Sequence, residues 1–491
     1  MSDNLKDKAI SGFSWNATEA FVGHGVTFLV GIVLARILTP DEYGLIGIVT
    51  IFTTVLSSFV DSGFSSALIR KADVRNEDYN TMFILNLAFS VVLYILLFVS
   101  SPFISSFFER PQLVPLIRVM GLLLIFQALS IVQSTNLSKK IDFKTRAKAT
   151  IIAAIVSGVV GILMAFTGFG VWALVGQQLT RQFLGTLGLW FYNRWWPNLK
   201  FNLDSFRYMW GFGWKIMFSR FLNDVWNQLN QVVVGKFYSP ASLGQYTRAN
   251  EYASLFSSNF SGIVQRVTYP VLSEVQSNPE RMLSAYRRII KTVMFVTSIL
   301  LLSMGAVAEP FIYCLIGPQW HEAATYLPFI CLLLSSMPLH SINLNMLQVM
   351  GRSDIFLYLE IIKKVIAIGP LLLGIFVNIY WMLIGGIIAS VIAFFLNTYY
   401  TGKKLNYSSW MQIKDVAPSY ILGCVIAVSV YFFKYLPLSN FIILPIQIVV
   451  GSAVFFTICE KTKMEEYVEL KTTAIRYMSK LKRTNKDNNG Q

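Results

Sequence analysis

Charge is scarce in this chain. Only 14% of its 491 residues are Asp, Glu, Lys or Arg, where a soluble protein of this size carries about a quarter. Histidine occurs three times, and the four cysteines, Cys314, Cys331, Cys424 and Cys459, show no CxxC or Cys/His spacing. That spacing argues against a disulfide framework and against a metal site; cysteines in apolar runs serve as small buried residues. No Walker A sequence, HExxH or GxSxG is present, so the common nucleotide, zinc-hydrolase and serine-hydrolase signatures are missing. The longest polar stretches on one side of the chain, around 102–112 and 309–321, are too short to hold a catalytic domain. The expectation is no enzyme, no catalytic residue, no metal and no cofactor.

What the chain has in excess is apolar length. Hydrophobic residues make up 54%, the mean hydropathy is +0.55, and there are 38 Phe. Runs such as Met82–Ser101, Ile151–Phe166 and Val365–Ile379 approach the roughly 20 apolar residues that cross a hydrocarbon core of about 30 Å. The fold class is an all-α integral membrane protein. Apolar segments at 11–37, 43–63, 81–101, 113–134, 149–168, 170–192, 209–237, 241–265, 289–308, 322–350, 356–376, 380–400, 416–434 and 440–460 give about 14 transmembrane helices. Two of them, 209–237 and 241–265, are polar enough for a hydropathy scan to miss. The stretch behind the short basic start, Met1–Ser11 with Lys6 and Lys8, is too long for a signal-peptide core and lacks a cleavage site, so it reads as a retained first helix.

Basic residues set an orientation, because cytoplasmic loops collect Lys and Arg. With the N-terminus inside, 33 of the 41 basic residues fall in inside loops, in the inner parts of the adjoining segments or in the C-terminal tail. Only Arg36, Arg110, Lys236 and Lys434 fall outside, and Arg118, Arg181, Arg220 and Arg248 lie within helices. Both termini are therefore expected in the cytoplasm. The net charge of +15 faces anionic membrane lipids rather than nucleic acid.

The chain also repeats itself. Gly12-Phe13-Ser14-Trp15 recurs as Gly211-Phe212-Gly213-Trp214, and Thr39-Pro40 with Tyr43-Gly44 recurs as Ser239-Pro240 with Leu243-Gly244, at offsets of 199 and 200. Helix 1 thus corresponds to helix 7 in the same orientation, which is a parallel repeat. The expected domains are an N-lobe at 1–192, an inter-lobe loop at 193–208, a C-lobe at 209–402, two additional helices at 403–460 and a basic tail at 461–491. Two six-helix bundles of this kind enclose a central cavity that can open to either side.

Polar groups inside such helices need partners or water, since a charge at mid-membrane costs at least about 2.5–3.5 kcal/mol. Arg220, Asp224, Asn227 and Gln231 share one face of helix 7, flanked by Asn223 and Asn230. They form either a self-neutralising Arg220–Asp224 contact or a cavity wall for a charged, hydroxyl-rich substrate. Helix 1 offers Asn16, Glu19, Gly23 and Thr27 on one face, with His24 beside it; an acid near a histidine can bind a proton or a cation. Helix 8 adds Arg248 and Glu251, and Arg181 lies near the middle of helix 6. The planar guanidinium matches phosphate oxygens. The candidate substrate contacts are therefore Arg220, Arg248, Arg181, Asn227 and Gln231, and the candidate ion or proton sites are Glu19, His24, Asp224 and Glu251.

Several segments resemble a known family. Thr39-Pro40-Asp41-Glu42-Tyr43-Gly44, Gly170-Val171-Trp172-Ala173-Leu174-Val175 and Leu315-Ile316-Gly317-Pro318-Gln319-Trp320 are similar to recurring signatures of the polysaccharide transporter family. So is Tyr269-Pro270-Val271-Leu272-Ser273, followed by a basic segment around 281–291. This family, the Wzx-type exporters related to the colanic acid exporter, belongs to the multidrug/oligosaccharidyl-lipid/polysaccharide (MOP) superfamily. The resemblance covers about residues 5–460. It implies two six-helix lobes in a V with two extra helices, in the inner membrane of a bacterium. It also implies flipping of undecaprenyl-pyrophosphate-linked oligosaccharides for O-antigen, capsule or exopolysaccharide synthesis. H+ or Na+ coupling and contact with polymerase or assembly proteins belong to the same expectation. Superfamily cavity arginines are matched by Arg220 and Arg248 in position only, and helices 13 and 14 are where a groove for the polyprenyl tail is expected. Two rival readings are a drug/cation antiporter of the same superfamily, with Glu19 as its main site, and a non-transporting scaffold of a polysaccharide assembly complex.

Overall fold

A computed structural model describes residues 3–60, 63–473 and 475–476. In chain order the α-helices are α1 (Asp3–Ile37), α2 (Pro40–Val60), α3 (Phe64–Arg70), α4 (Asn76–Phe108), α5 (Leu113–Met120) and α6 (Leu122–Lys139). Next come α7 (Phe143–Phe166), α8 (Val171–Asn193), α9 (Leu203–Phe237), α10 (Pro240–Glu274), α11 (Pro279–Ala306) and α12 (Ala308–Leu315). The last six are α13 (His321–Ser335), α14 (Met337–Val349), α15 (Ser353–Phe376), α16 (Ile379–Leu405), α17 (Ser409–Tyr431) and α18 (Asn440–Thr462). Among the described residues there is no strand, as a membrane-spanning chain requires when each segment must satisfy its own backbone hydrogen bonds.

Each expected apolar segment coincides with a helix or a pair of helices. The fourth and tenth, equivalent positions in the repeat, are each interrupted: at Gly121 between α5 and α6, and at Ser336 between α13 and α14. Nine helical stretches among the described residues are long and apolar enough to cross a membrane. The other five expected segments fall on α1, α8, α9, α10 and α15. These carry polar or charged residues within the apolar run, such as Gln177, Gln178 and Arg181 on α8, and Glu360, Lys363 and Lys364 on α15. Helix starts are set by side-chain caps. Asp142 accepts from the Thr145 amide, Asn202 from those of Asp204 and Ser205, Asn278 from that of Arg281, and Ser408 from that of Met411. α4, α16 and α18 end at left-handed residues, Glu109, Asn406 and Lys463.

By contact the chain divides into two compact units, Met1–Thr247 and Arg248–Gln491. In the first, α7 packs along α1 and α8, α2 along α9, and α4 along α6. The α7 seam is built of small residues: a Cβ at Gly188 of α8 would lie 3.0 Å from Ala149 Cβ, so the two backbones run close together. The linker 194–202 is tied down, with the Trp195 carbonyl accepting from Gln133 (2.8 Å) and the Asn198 amide donating to Asn80 (3.0 Å).

In the second unit α11 lies along α17 and α13, and α15 along α16. The two helices expected outside the repeat, α17 and α18, bury Leu422, Ile426 and Cys459 against Phe295 of α11. A buried polar network crosses this core. Tyr286 donates to Asn343 Oδ1 (2.6 Å), which also accepts from Gln412 (3.2 Å) and Thr401 (3.2 Å). At its edge Arg287 forks onto Asp415 (2.8 and 2.9 Å).

Candidate functional site: a polar cavity in the first unit

In the first unit a cluster of polar side chains lines a cavity of about 460 Å³ among α1, α6, α7 and α8. Helix α1 contributes Glu19, Gly23 and His24, and α6 contributes Ser130 and Ser134. Helix α7 brings Arg146 and Thr150, and α8 brings Arg181, Gln182 and Thr186. A cavity with hydroxyls, an amide and charges is hydrated and selects a polar ligand.

Two of its charges neutralise each other. Arg146 Nε donates to Glu19 Oε2 at 3.2 Å, and Thr150 Oγ1 donates to Glu19 Oε1 at 3.1 Å. Both carboxylate oxygens are thus engaged. Arg181 is different. Among the described residues its polar partner is the hydroxyl of Thr27, 2.9 Å from Nη1, and no carboxylate meets it. Thr27 in turn donates to the Gly23 carbonyl at 2.8 Å, so its lone pairs point to the guanidinium. Arg181 stands ten residues into α8, about 15 Å along its axis at 1.5 Å per residue. One guanidinium there is left with positive charge that the cavity does not cancel.

The Glu19 and His24 pair expected on helix 1 and the separately expected Arg181 of helix 6 line one cavity. Gly23 joins them, and Thr27 lies at the Arg181 contact, as the shared face of helix 1 requires. The side chains of Asn16, Lys6, Lys8 and Arg266, and the tail beyond residue 476, lie outside the described residues. The polar face of α9 does not line this cavity: Asp224 accepts from Ser58 of α2, Asn227 is exposed, and Arg220 and Gln231 lie on the same helix. Arg248 and Glu251 of α10 belong to the second unit and form the i,i+3 ion pair that their spacing suggests, at 2.7 Å.

Arg146, Thr150, Ser130, Ser134, Gln182 and Thr186 escaped sequence reasoning. A fifth segment beginning at 149 leaves Arg146 in a loop, but α7 begins at Phe143 and carries it. The local signal is Asp142 followed three residues later by Thr145, whose amide it caps at 3.1 Å.

Comparison with known proteins places this architecture. A family model described as "Polysaccharide biosynthesis protein" matches residues 33–325, and the chain belongs to that family. It is 24% identical over 375 residues to the succinoglycan biosynthesis transport protein ExoT of Rhizobium meliloti (strain 1021), a match covering 76% of each chain. Among solved structures it resembles the lipid II flippase MurJ in an inward closed conformation. That match has a TM-score of 0.71 at 15% identity and covers 92% of this chain and 99% of the other. It also resembles an inward-facing multidrug resistance MATE transporter of the MOP superfamily, with a TM-score of 0.61 at 17% identity, over 78% and 95% of the two chains. The fold is therefore the two-lobe MOP fold. Family and fold are those of transporters, and the chain is a multi-pass membrane protein.

Proposed function

We propose that this chain is a flippase that moves polyprenyl-pyrophosphate-linked oligosaccharide repeat units across the bacterial cytoplasmic membrane by alternating access. In this reading fourteen helices span the membrane, both termini are cytoplasmic, and the product feeds a surface polysaccharide. The observation that carries it is the uncancelled guanidinium of Arg181 in a polar cavity on a transporter fold. Its guanidinium is exposed to the cavity rather than buried in the packing. An anionic ligand can supply the missing charge there, and a pyrophosphate is such a ligand. The hydroxyls of Ser130, Ser134 and Thr186 and the amide of Gln182 suit the sugar beside it. The polar face of α9, with Arg220, Asn227 and Gln231, is a second surface of the same character. Glu19 and His24 are the groups that would take H+ or Na+ if cargo movement is coupled.

A cationic-drug antiporter needs a carboxylate available to its cargo. Glu19 has both oxygens occupied by Arg146 and Thr150, so the cavity favours an anion. The test is Arg181→Ala in cells making the polymer. Lipid-linked repeat units should accumulate on the cytoplasmic side and surface polysaccharide should fall. Normal polymer with no accumulation would refute the assignment.

A further inference from the structure

Lys463 ends α18 in the left-handed region (φ 50°), and residues 465–473 after it are helical. Met464 and Tyr467 pack on the cluster of Phe295, Leu422 and Cys459, and the Tyr467 hydroxyl donates to Glu460 (2.8 Å). With Tyr467 held there, Glu465, Glu466 and Glu469 face the first half of α11. Positions 465 and 469 share one side of a helix.

Between this segment and α11 lies a cavity of about 640 Å³. Helix α11 gives it Arg287, Arg288 and Lys291, with the hydroxyls of Ser284 and Thr292. Arg288 forks onto Glu469: Nε donates to Oε2 at 3.0 Å, and Nη2 donates to Oε1. Lys291 Nζ lies 3.3 Å from Glu465 and 4.0 Å from Asp415, the carboxylate that Arg287 holds. Two parallel N–H donors on two oxygens suit a phosphate as well as a carboxylate. The segment also supplies three of the four acids that line the cavity. Without it, the three cations face Glu280.

The hold on the segment is light. The Arg288 side chain is 69% exposed and that of Glu465 is 85% exposed. Ion pairs so exposed weaken in salt and yield to competing anions. Position selects the competitor. Arg287, Arg288 and Lys291 sit where α11 passes from its polar start into the apolar run 293–302, which is the level of lipid head groups for a helix that crosses a bilayer. Val468, Leu470 and Ile475 are exposed on and just after the segment. The sequence continues through Arg476, Lys480, Lys482 and Arg483, and basic residues among apolar ones favour an anionic lipid surface.

We propose that the first half of α11 is a binding site for the phosphate head group of an anionic phospholipid, and that Glu465 and Glu469 are its built-in competitor. A phospholipid phosphate on Arg288 and Lys291 displaces the acidic segment, whose apolar and basic side chains then meet the same membrane. The second unit thereby responds to the anionic lipid around it. This site is separate from the Arg181 cavity and goes beyond the cargo assignment.

The test uses the full-length protein purified in detergent, with native mass spectrometry reading its retention of phosphatidylglycerol against phosphatidylcholine. Native protein should retain one phosphatidylglycerol in preference to phosphatidylcholine. Glu465→Gln/Glu469→Gln should bind it several-fold more tightly. Arg288→Gln/Lys291→Gln should lose it, with Arg288→Gln alone, at a largely exposed position, as the readout where the double variant does not purify. Lys403→Gln/Lys404→Gln removes as much charge from another exposed site and should change nothing. Equal affinity in the native and Glu465→Gln/Glu469→Gln proteins would overturn the site, as would equal loss in Lys403→Gln/Lys404→Gln. Binding of inorganic pyrophosphate with no phospholipid retained would overturn the lipid assignment. No cargo or transport enters this measurement, so its failure is distinct from normal polymer in Arg181→Ala cells.

Discussion

Arg181 of α8 reaches across to Thr27 of α1, 2.9 Å from guanidinium to hydroxyl, while the cavity's one other arginine is held by Glu19. The two arginines therefore serve different ends. Arg146 keeps Glu19 neutralised, and Arg181 keeps a positive charge available.

Removing the Thr27 hydroxyl leaves the charge of Arg181 in place and deletes one neutral acceptor. A hydrogen bond to a charged group contributes about 1.5–3 kcal/mol, and at this exposed position water replaces most of it. Thr27→Ala should lower export only a few-fold, whereas Arg181→Ala should nearly abolish it and Arg181→Lys should restore part. Surface polymer measured at matched protein levels distinguishes the three.

Glu19 and Arg146 should behave as a coupled pair. Both are more than two-thirds buried, with side-chain exposures of 15% and 27%, so losing one partner strands the other beside a wet cavity. We expect Arg146→Ala to destabilise the purified protein by about 1–2 kcal/mol, less than the roughly 3–5 kcal/mol of a fully buried pair. The double variant Glu19→Gln/Arg146→Ala should recover much of it. Thermal unfolding of the four proteins in detergent closes the cycle, and simple additivity would show the pair to be uncoupled.

In the second unit, Asn343 Oδ1 accepts from Tyr286, Gln412 and Thr401 with no exposure to water. Tyr286→Phe removes one of three donors and should cost about 1 kcal/mol. Asn343→Leu strands three donors at once and should cost roughly 3 kcal/mol or more. A smaller loss for Asn343→Leu than for Tyr286→Phe would contradict the network.

Ahead of the apolar stretch of α15, the Arg352 guanidinium forks onto Asp354 (2.9 and 2.7 Å) and holds its carboxyl down to about 2, with the Ile355 amide assisting. A depressed carboxyl contributes stability above its unfolded pKa near 3.9 and loses it as pH falls through the folded value. The difference in melting temperature between native protein and Asp354→Asn should therefore be constant from pH 8 to 5. It should shrink between about 4 and 2. A difference that changes between pH 8 and 6 would point to another group.

Much of the fold was readable from the sequence because apolar length is a local property. Every expected segment has a helix, and the polarity of α9 and α10 was visible in Asn223, Asp224, Asn227 and Arg248. The breaks at Gly121 and Ser336 were not, since both sit inside continuous apolar runs. The cavity was half legible. Glu19, His24 and Arg181 stand out because a polar group in an apolar helix needs a reason. Thr150 and Ser130 do not, because hydroxyls occur throughout such helices and only tertiary packing shows which of them meet. The Ser58–Asp224 contact spans 166 residues and becomes visible only in the folded chain.

The central claim is tested most directly by reconstitution. The purified protein is placed in vesicles with a polyprenyl-pyrophosphate-linked oligosaccharide, and a lectin outside reports the sugar as it crosses. Native protein should expose the sugar with time, and Arg181→Ala should slow that exposure by at least about tenfold, the equivalent of about 1.4 kcal/mol of lost interaction. Equal rates for the two proteins, or no crossing with native protein while a cationic dye is exported, would contradict the account.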